Sequence, residues 1–378
     1  MTFVADGSSG ADTRLVVEAG KLFFGAVKRA KSLAMHGMEG FPWKEIEADI
    51  RSGEMLETLS LDLKLPDNDD GAISAISKIW SPSTSLRNFT WGANVETVSQ
   101  EHVEHFKGLS FPFQALTFLE LNAEIEVQAF YYILSLTPSL VTAKFDSVEG
   151  ELDYEVIEDV KLSDLRELTL DSRAAFSPPS ATQLLEFIIA PSLTTLSLMN
   201  DGEWFPEAFQ TFLQKASPRI EHLRLHMVDS TDDEKIECLK LLPFLRSLDL
   251  RVANGTDDWP DIGSVFCCAM QEWNASTHAF SICPELEKLA IDYDELGCTS
   301  STVFADMVEA RWRRSLEAGK AFKLELMNTI LRQNVGEETP MEKHEVLTEI
   351  IRILVLKNSG LDVTVEPNNW LLKLFRVS

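Results

Sequence analysis

The amino-acid sequence predicts an α/β solenoid in which short parallel strands form a curved sheet and helices cover its outer side. Two observations predict this fold class. A pattern of three apolar residues, the first two separated by two positions and the last two by one, recurs along the chain. Its last positions alternate apolar and other residues, as in a strand with one buried face. Between the copies, apolar residues are spaced by three and four, as in helices with one buried side.

The apolar pattern is regular over the first 250 residues. When the second apolar residue marks each copy, eight steps from position 33 to position 248 have a mean length of about 27 residues. A period of about 20–29 residues is typical of leucine-rich repeats, so we predict a leucine-rich-repeat solenoid, a horseshoe with a parallel concave sheet and outer helices. The predicted strands centre on Leu33, Leu59, Phe89, Leu119, Ala143, Leu168, Leu196, Leu223 and Leu248.

The repeat becomes irregular in the last third of the chain. Two further strands are predicted at Leu289 and Leu324, after steps of 41 and 35 residues, and the segments 253–281 and 297–319 are insertions with extra helix. We therefore expect an N-terminal tail and capping helix at 1–29, a leucine-rich-repeat array at 30–296, and irregular final repeats with a C-terminal cap at 297–378. Helices are predicted at 15–27, 73–80, 127–134, 184–188, 205–213, 304–316 and 342–356.

The charge and cysteine content restrict the partners and the compartment. The chain carries 60 acidic and 34 basic residues, a formal net charge of −26, which disfavours binding to nucleic acid and to anionic membranes. No run of 18 apolar residues predicts a membrane span, and residues 1–13 do not resemble a secretory signal. Five cysteines without a C-x-x-C pair are typical of a reducing compartment. We expect a cytoplasmic or nuclear protein.

Several repeats begin with a proline turn. The strings are PSLTTLSL from position 191, PRIEHLRL from 218, PFLRSLDL from 243 and CPELEKLAI from 283. Together with FADMVEARWR from 304 and GLDVTV from 360, they resemble the leucine-rich-repeat region of fungal, mushroom-type F-box proteins. The resemblance implies a substrate-recognition module in ubiquitin-ligase targeting. It also implies a cullin-type ligase adaptor as partner, but residues 1–50 contain no L-P-x-E-like string with which an F-box opens, so a stand-alone repeat protein stays an alternative.

The sequence offers little catalytic chemistry. It contains no phosphate-binding loop, no G-x-S-x-G elbow and no H-E-x-x-H motif, so we expect no enzyme, no cofactor and no metal site. One alternative is an enzyme with a site in the irregular insert 253–319. That insert contains His278, Cys267, Cys268 and Cys283, and a cysteine could serve as its nucleophile.

The concave face of the predicted sheet is the candidate binding surface. Its early repeats are polar and acidic, whereas the copies around Leu223 and Leu248 carry several cations. We predict a protein-binding site for an acidic or phosphorylated segment, because a guanidinium group donates paired hydrogen bonds to carboxylate or phosphate. The alternative is ordinary surface variation in which Arg224 pairs with Asp249 across adjacent strands. The candidate residues are His222, Arg224, His226, Ser247, Asp249 and Arg251.

Overall fold

The computed structural model describes most of the chain. The described residues are 1–4, 13–36, 41–62, 70–80, 83–92, 97–155, 157–172, 179–201, 203–251, 262–292, 303–327 and 340–365. The chain divides into two compact units, Met1–Leu193 and Thr194–Ser378. Strands and helices alternate in both units, so the fold is of the mixed α/β class, as predicted.

The first unit contains a parallel sheet whose strands follow one another in chain order. Seven strands pair in the order β1-β2-β3-β4-β5-β6-β8, while β7 and β9 form a separate parallel pair. The strands are β1 (Thr2–Val4), β2 (Ser32–His36), β3 (Thr58–Asp62), β4 (Asn88–Gly92), β5 (Phe118–Glu126), β6 (Thr142–Glu149), β7 (Val160–Lys161), β8 (Glu167–Asp171) and β9 (Ile188–Ile189). The helices are α1 (Thr13–Ala26), α2 (Trp43–Ile46), α3 (Asp70–Trp80), α4 (Gln100–Gly108), α5 (Val127–Leu136) and α6 (Ala181–Leu185).

The second unit repeats this arrangement. Six of its strands pair in parallel in the order β10-β11-β12-β15-β16-β17, and β13 and β14 form a short antiparallel hairpin. The strands are β10 (Thr195–Asp201), β11 (His222–Val228), β12 (Ser247–Arg251), β13 (Trp273–Asn274), β14 (Ala279–Phe280), β15 (Lys288–Asp292), β16 (Lys323–Met327) and β17 (Asp362–Val365). The helices are α7 (Pro206–Ala216), α8 (Asp232–Lys240), α9 (Ser264–Gln271), α10 (Val303–Glu317) and α11 (Pro340–Asn358).

The leucines of the repeat are stacked in register. In the second unit the marker residues pair one to one across five neighbouring strands, and each is at most 2% exposed. These residues are Leu196, Leu223, Leu248, Leu289 and Leu324. A single repeat has no second layer against which to bury its leucines, so neighbouring repeats bury them jointly. All strands that the marker residues predict are present.

The remaining strand residues form a second face in each unit, and in the second unit this face is partly buried at β10, β12 and β15. In β3 and β4 the burial alternates strictly, with the marker residues buried and the positions before and after them partly exposed. We call this face, made of the strand residues that flank the markers, the open face. None of the helices in the described ranges is long and apolar enough to cross a membrane.

Several details differ from the predictions, and α2, α4, α8 and β7 are not among the predicted elements. Strand β1 was not predicted, and it pairs in parallel with β2. The helix predicted at 184–188 ends at Leu185, because the β-branched pair Ile188–Ile189 forms β9 instead. The insert 253–281 contains the hairpin β13–β14 beside its helix. The residues Trp370, Leu371, Leu374 and Phe375, predicted to belong to the C-terminal cap, lie outside the described residues.

The hairpin is anchored by a buried arginine of α10. Arg311 is 1% exposed. Its guanidinium donates to the backbone oxygens of Met270 (2.7 Å), Ile282 (2.7 Å) and Cys283 (3.2 Å), and it stacks 4.4 Å from the ring centroid of Phe280 in β14. Burial lowers the pKa of Arg311 to about 10, so the group stays protonated at neutral pH.

A charge placed in the leucine stack should unfold the second unit. Leu196 is fully buried, so Leu196→Asp places an unpaired carboxylate between the layers, and we expect a loss of about 4 kcal/mol or more in the free energy of unfolding. Urea unfolding followed by circular dichroism measures it. Thr195→Asp, one residue earlier on the open face, is the matched control and should change stability little. Equal losses in the two variants would contradict the assignment of the faces.

Candidate functional site

The predicted site residues lie together on two adjacent strands of the second unit. Strands β11 and β12 are parallel, and their register places His222 beside Ser247, Arg224 beside Asp249, and His226 beside Arg251. These positions alternate with the buried leucines, so the six side chains belong to the open face. The structure thus brings together the residues that the repeat phase selected.

Asp249 occupies the centre of this group. Its Oδ1 accepts a hydrogen bond from Arg251 Nε at 2.6 Å and lies 3.1 Å from His226 Nε2. Its Oδ2 accepts from Arg224 Nε at 3.3 Å and from Arg251 Nη2. We call Arg224, His226, Asp249 and Arg251 the Asp249 cluster. The cross-strand pair of Arg224 and Asp249, considered above as the alternative, is therefore present.

The cluster holds Asp249 in its charged form. The side chain of Asp249 is 12% exposed, and this burial opposes ionisation. The hydrogen bonds and charges of His226 and Arg251 outweigh burial and lower the pKa of Asp249 from 3.8 to about 2. Burial also opposes the charge of Arg251, but Asp249, Glu325 and Asp292 outweigh it and raise the pKa of Arg251. At neutral pH the carboxylate and both guanidinium groups are charged.

The cluster retains hydrogen-bond donors that face solvent. Arg224 is 47% exposed and uses only its Nε, so within the described part of the chain its two terminal nitrogens make no hydrogen bond. His222 is exposed at the start of β11, and Ser247 is partly exposed beside it. Two terminal N–H groups on one planar guanidinium can bind a carboxylate or a phosphoryl group with paired hydrogen bonds.

A second charged group on the same open face was not predicted. Lys288 in β15 and Lys323 in β16 pair with opposite oxygens of Glu325, at 2.8 Å each. We call Lys288, Lys323 and Glu325 the Glu325 cluster. Burial opposes ionisation of Glu325, but the hydrogen bonds from both lysines outweigh it and lower the pKa of Glu325. The sequence could have indicated this cluster, because both lysines directly precede a marker leucine, as His222 and Ser247 do.

The open face of the first unit has a different character. Asn88 Nδ2 donates to Thr58 Oγ1 at 3.1 Å, and His36 Nδ1 lies 3.4 Å from Asp62 Oδ2. These are contacts between neighbouring strands at polar or acidic positions. They do not bring cations together as the two clusters of the second unit do.

The cysteines of the insert are placed in the core. Cys267 and Cys283 are at most 1% exposed, and burial raises the pKa of each thiol to about 12. Such thiols stay protonated at neutral pH, whereas the thiolate is the nucleophile. Cys268 is exposed, and Cys298 lies outside the described residues. The burial of Cys267 and Cys283 disfavours a catalytic role for them.

A carboxylate at the start of α8 caps the helix of the next repeat. Asp232 accepts hydrogen bonds at 3.0 Å from the backbone of Gly263 and of Phe266, at the N-terminus of α9. A Cβ at Gly263 would lie 2.3 Å from Asp232 Oδ2, so only glycine allows this approach. In the described ranges, no group of three or more histidine, cysteine or acidic side chains is placed to hold a metal ion.

The folded-state pKa of Asp249 predicts a pH-dependent stability term. A carboxylate whose pKa falls from 3.8 to about 2 on folding contributes about 2 kcal/mol, present above about pH 4 and lost as the pH falls through 2. Urea unfolding between about pH 5 and pH 2 should therefore show a steeper loss for the wild type than for Asp249→Asn. The exposed, ion-paired Glu237 gives the control Glu237→Gln. Parallel pH profiles for wild type and Asp249→Asn would contradict the ion-pair network.

Thiol labelling tests the enzyme alternative. In the native chain at pH 7, we expect iodoacetamide to modify Cys268 without unfolding, because its side chain is exposed. Cys267 and Cys283 should react only after unfolding, since their thiols are buried and protonated. Peptide mapping by mass spectrometry resolves the sites. Reaction of native Cys267 or Cys283 faster than N-acetylcysteine would instead support a cysteine nucleophile.

No known protein-family model matches this chain, and no curated protein matches it. The functional argument therefore depends on the physical features of the described residues. These are the strand register, the burial pattern and the two charged clusters on the open face of the second unit.

Proposed function

We propose that this chain is a protein-binding leucine-rich-repeat scaffold. The observation that carries the proposal is the Asp249 cluster, in which cations from two neighbouring repeats meet on an accessible sheet face. The stacked marker leucines and the repeat length support the leucine-rich-repeat assignment. Repeat arrays of this kind present extended surfaces that suit polypeptide partners.

The ligand that fits the Asp249 cluster is an acidic or phosphorylated segment. Arg224 projects two uncommitted terminal nitrogens, and Arg251 is held beside it by Asp249. The high acidity of the rest of the chain would repel anions that do not reach the cluster, which favours specific over general anion binding. The cations on the open face of the second unit thus favour an anionic ligand and determine where on the sheet it binds.

We further propose that the scaffold serves as a substrate receptor of the F-box type in ubiquitin-ligase targeting. The support is the resemblance of the proline-led repeats at 191, 218, 243 and 283 to fungal F-box proteins. Affinity purification of the chain from its source cell followed by mass spectrometry tests it. Recovery of a cullin-type ligase adaptor would support the receptor role. Recovery of a polypeptide partner without ligase components would favour the stand-alone repeat protein.

Removing the two arginines should weaken binding of the recovered partner. We expect Arg224→Ala plus Arg251→Ala to cost about 1.5–3 kcal/mol of binding free energy per arginine that contacts the ligand. Isothermal titration calorimetry with the purified partner measures the loss. Arg219→Ala plus Arg246→Ala is the matched control, because both residues form exposed ion pairs in the same unit outside β11 and β12.

Two results would contradict the proposed site. One is unchanged affinity of the arginine double variant in a chain that circular dichroism shows to be folded. The other is an equal loss in the control variant, which would indicate a general electrostatic effect. Addition of Asp249→Ala to the arginine variant removes the carboxylate left unpaired, so a folding defect can be separated from lost contacts.

A further inference from the structure

The Glu325 cluster has the composition of a second anion-binding point. Two lysines share one carboxylate, each using a single N–H on it, so an excess positive charge remains. The lysine side chains are each 40% exposed, whereas Glu325 is 18% exposed and lies below them. A lysine ammonium has three donors, so both lysines keep donors for an incoming anion.

The charged groups of the two clusters interact with each other on one open face. Arg251 of the Asp249 cluster is close enough to Glu325 for that carboxylate to stabilise its charge. Together the clusters contain four permanent cations, Arg224, Arg251, Lys288 and Lys323, and we call the two clusters together the strip. The terminal nitrogens of Arg224 and the ammonium groups of both lysines keep hydrogen-bond donors for an anionic ligand.

The register fixes the distance between the two points. Asp249 pairs with Ala290 of β15, and Ala290 pairs with Glu325 of β16, so the two carboxylates lie two strands apart in one row. Adjacent strands are separated by about 4.8 Å, which gives about 10 Å between the clusters. Ala290, which lies between them, has a small side chain and is 1% exposed.

This distance selects a ligand spacing. In a polyproline II segment, residues three apart point to the same side and are separated by about 9 Å. In a β-strand, side chains on the same side are about 7 or 13 Å apart, so neither spacing fits as well. Acidic side chains adjoin the strip, since Asp362 acts on Lys323 and the buried Asp292 of β15 acts on Arg251. They would repel a third acidic group, which limits the match to two.

Building on the proposed function, we propose that the Asp249 and Glu325 clusters together bind a polypeptide segment that carries two carboxylate side chains three residues apart. One carboxylate contacts Arg224 and Arg251, and the other contacts Lys288 and Lys323. Each carboxylate thus accepts hydrogen bonds from one pair of cations. The segment crosses the strands over Ala290 in an extended conformation.

Peptides of defined spacing test this inference with the full chain. The probes are fluorescein-labelled proline- and alanine-rich peptides with one glutamate, or with two glutamates spaced two, three or four apart, measured by fluorescence anisotropy at low salt. We expect the spacing of three to bind most tightly, roughly tenfold better than one glutamate. Removing the second cluster, with Lys288→Ala, Glu325→Ala and Lys323→Ala combined, should return this peptide to the affinity of the single-glutamate probe.

A gain of affinity provides the sharper readout. Glu325→Gln keeps the shape of the side chain but releases the charge of both lysines, so the peptide with spacing three should bind severalfold more tightly. The exposed lysines Lys240 and Lys320, which pair with glutamates outside the strands, supply the control Lys240→Ala plus Lys320→Ala. This control should leave the affinity unchanged.

The outcomes separate the two levels of the proposal. If the arginine double variant weakens binding but the Glu325-cluster variant and Glu325→Gln do not change it, the two-point inference is wrong and the proposed function stands. If no peptide binds, or if neither cluster affects affinity, both are wrong. Equal binding of an oligothymidylate would assign the strip to nucleic acid and overturn the inference.

Discussion

The in-register stacking of leucines is the constraint on which the rest of each unit depends. A repeat of about 27 residues has one strand and one short helix, too little to bury its own apolar face, so the marker leucines must lie directly beside those of the neighbours. This requirement also fixes the opposite side of the strand. Because side chains alternate, residues before and after each leucine stand in equally regular rows on the open face. Arg224 lies beside Asp249 because Leu223 lies beside Leu248.

Neighbours within such a row lie about 4.8 Å apart, which brings like charges close together. Each cluster has one carboxylate at its centre that offsets this repulsion. Asp249 holds two guanidinium groups and a histidine, and Glu325 holds two ammonium groups. Each carboxylate lowers the net charge of its cluster, but it also keeps the cations converged. When a ligand binds, flexible arginine and lysine side chains lose conformational entropy. A carboxylate that already holds these side chains in place reduces this loss.

The sequence could predict much of this arrangement, because the position of each residue relative to its marker leucine determines which residue it lies beside on the next strand. The strand positions, the buried leucines and the proximity of Arg224 to Asp249 follow from counting alone. The Glu325 cluster follows the same rule, since the strands at Leu289 and Leu324 were predicted although the inserts before them lengthen the period, but Lys288, Lys323 and Glu325 were not singled out. The end of α6 at Leu185 was not predictable from apolar spacing, since five residues fit both a helix and a strand. The low pKa of Asp249 depends on burial, which a sequence pattern does not contain.

The second unit uses arginine in two opposite ways, and burial decides between them. Arg311 donates to three backbone carbonyls and stacks on Phe280, so its donors hold the hairpin β13–β14 and none faces solvent. Burial lowers the pKa of Arg311, and its carbonyl partners carry no formal negative charge that would offset this effect. Arg224 has a carboxylate partner and 47% exposure, and it commits one donor of five. The insert that contains Arg311 and the buried cysteines is therefore a packing element, while the capacity to bind an anionic partner is concentrated on the strands whose leucines it helps to cover.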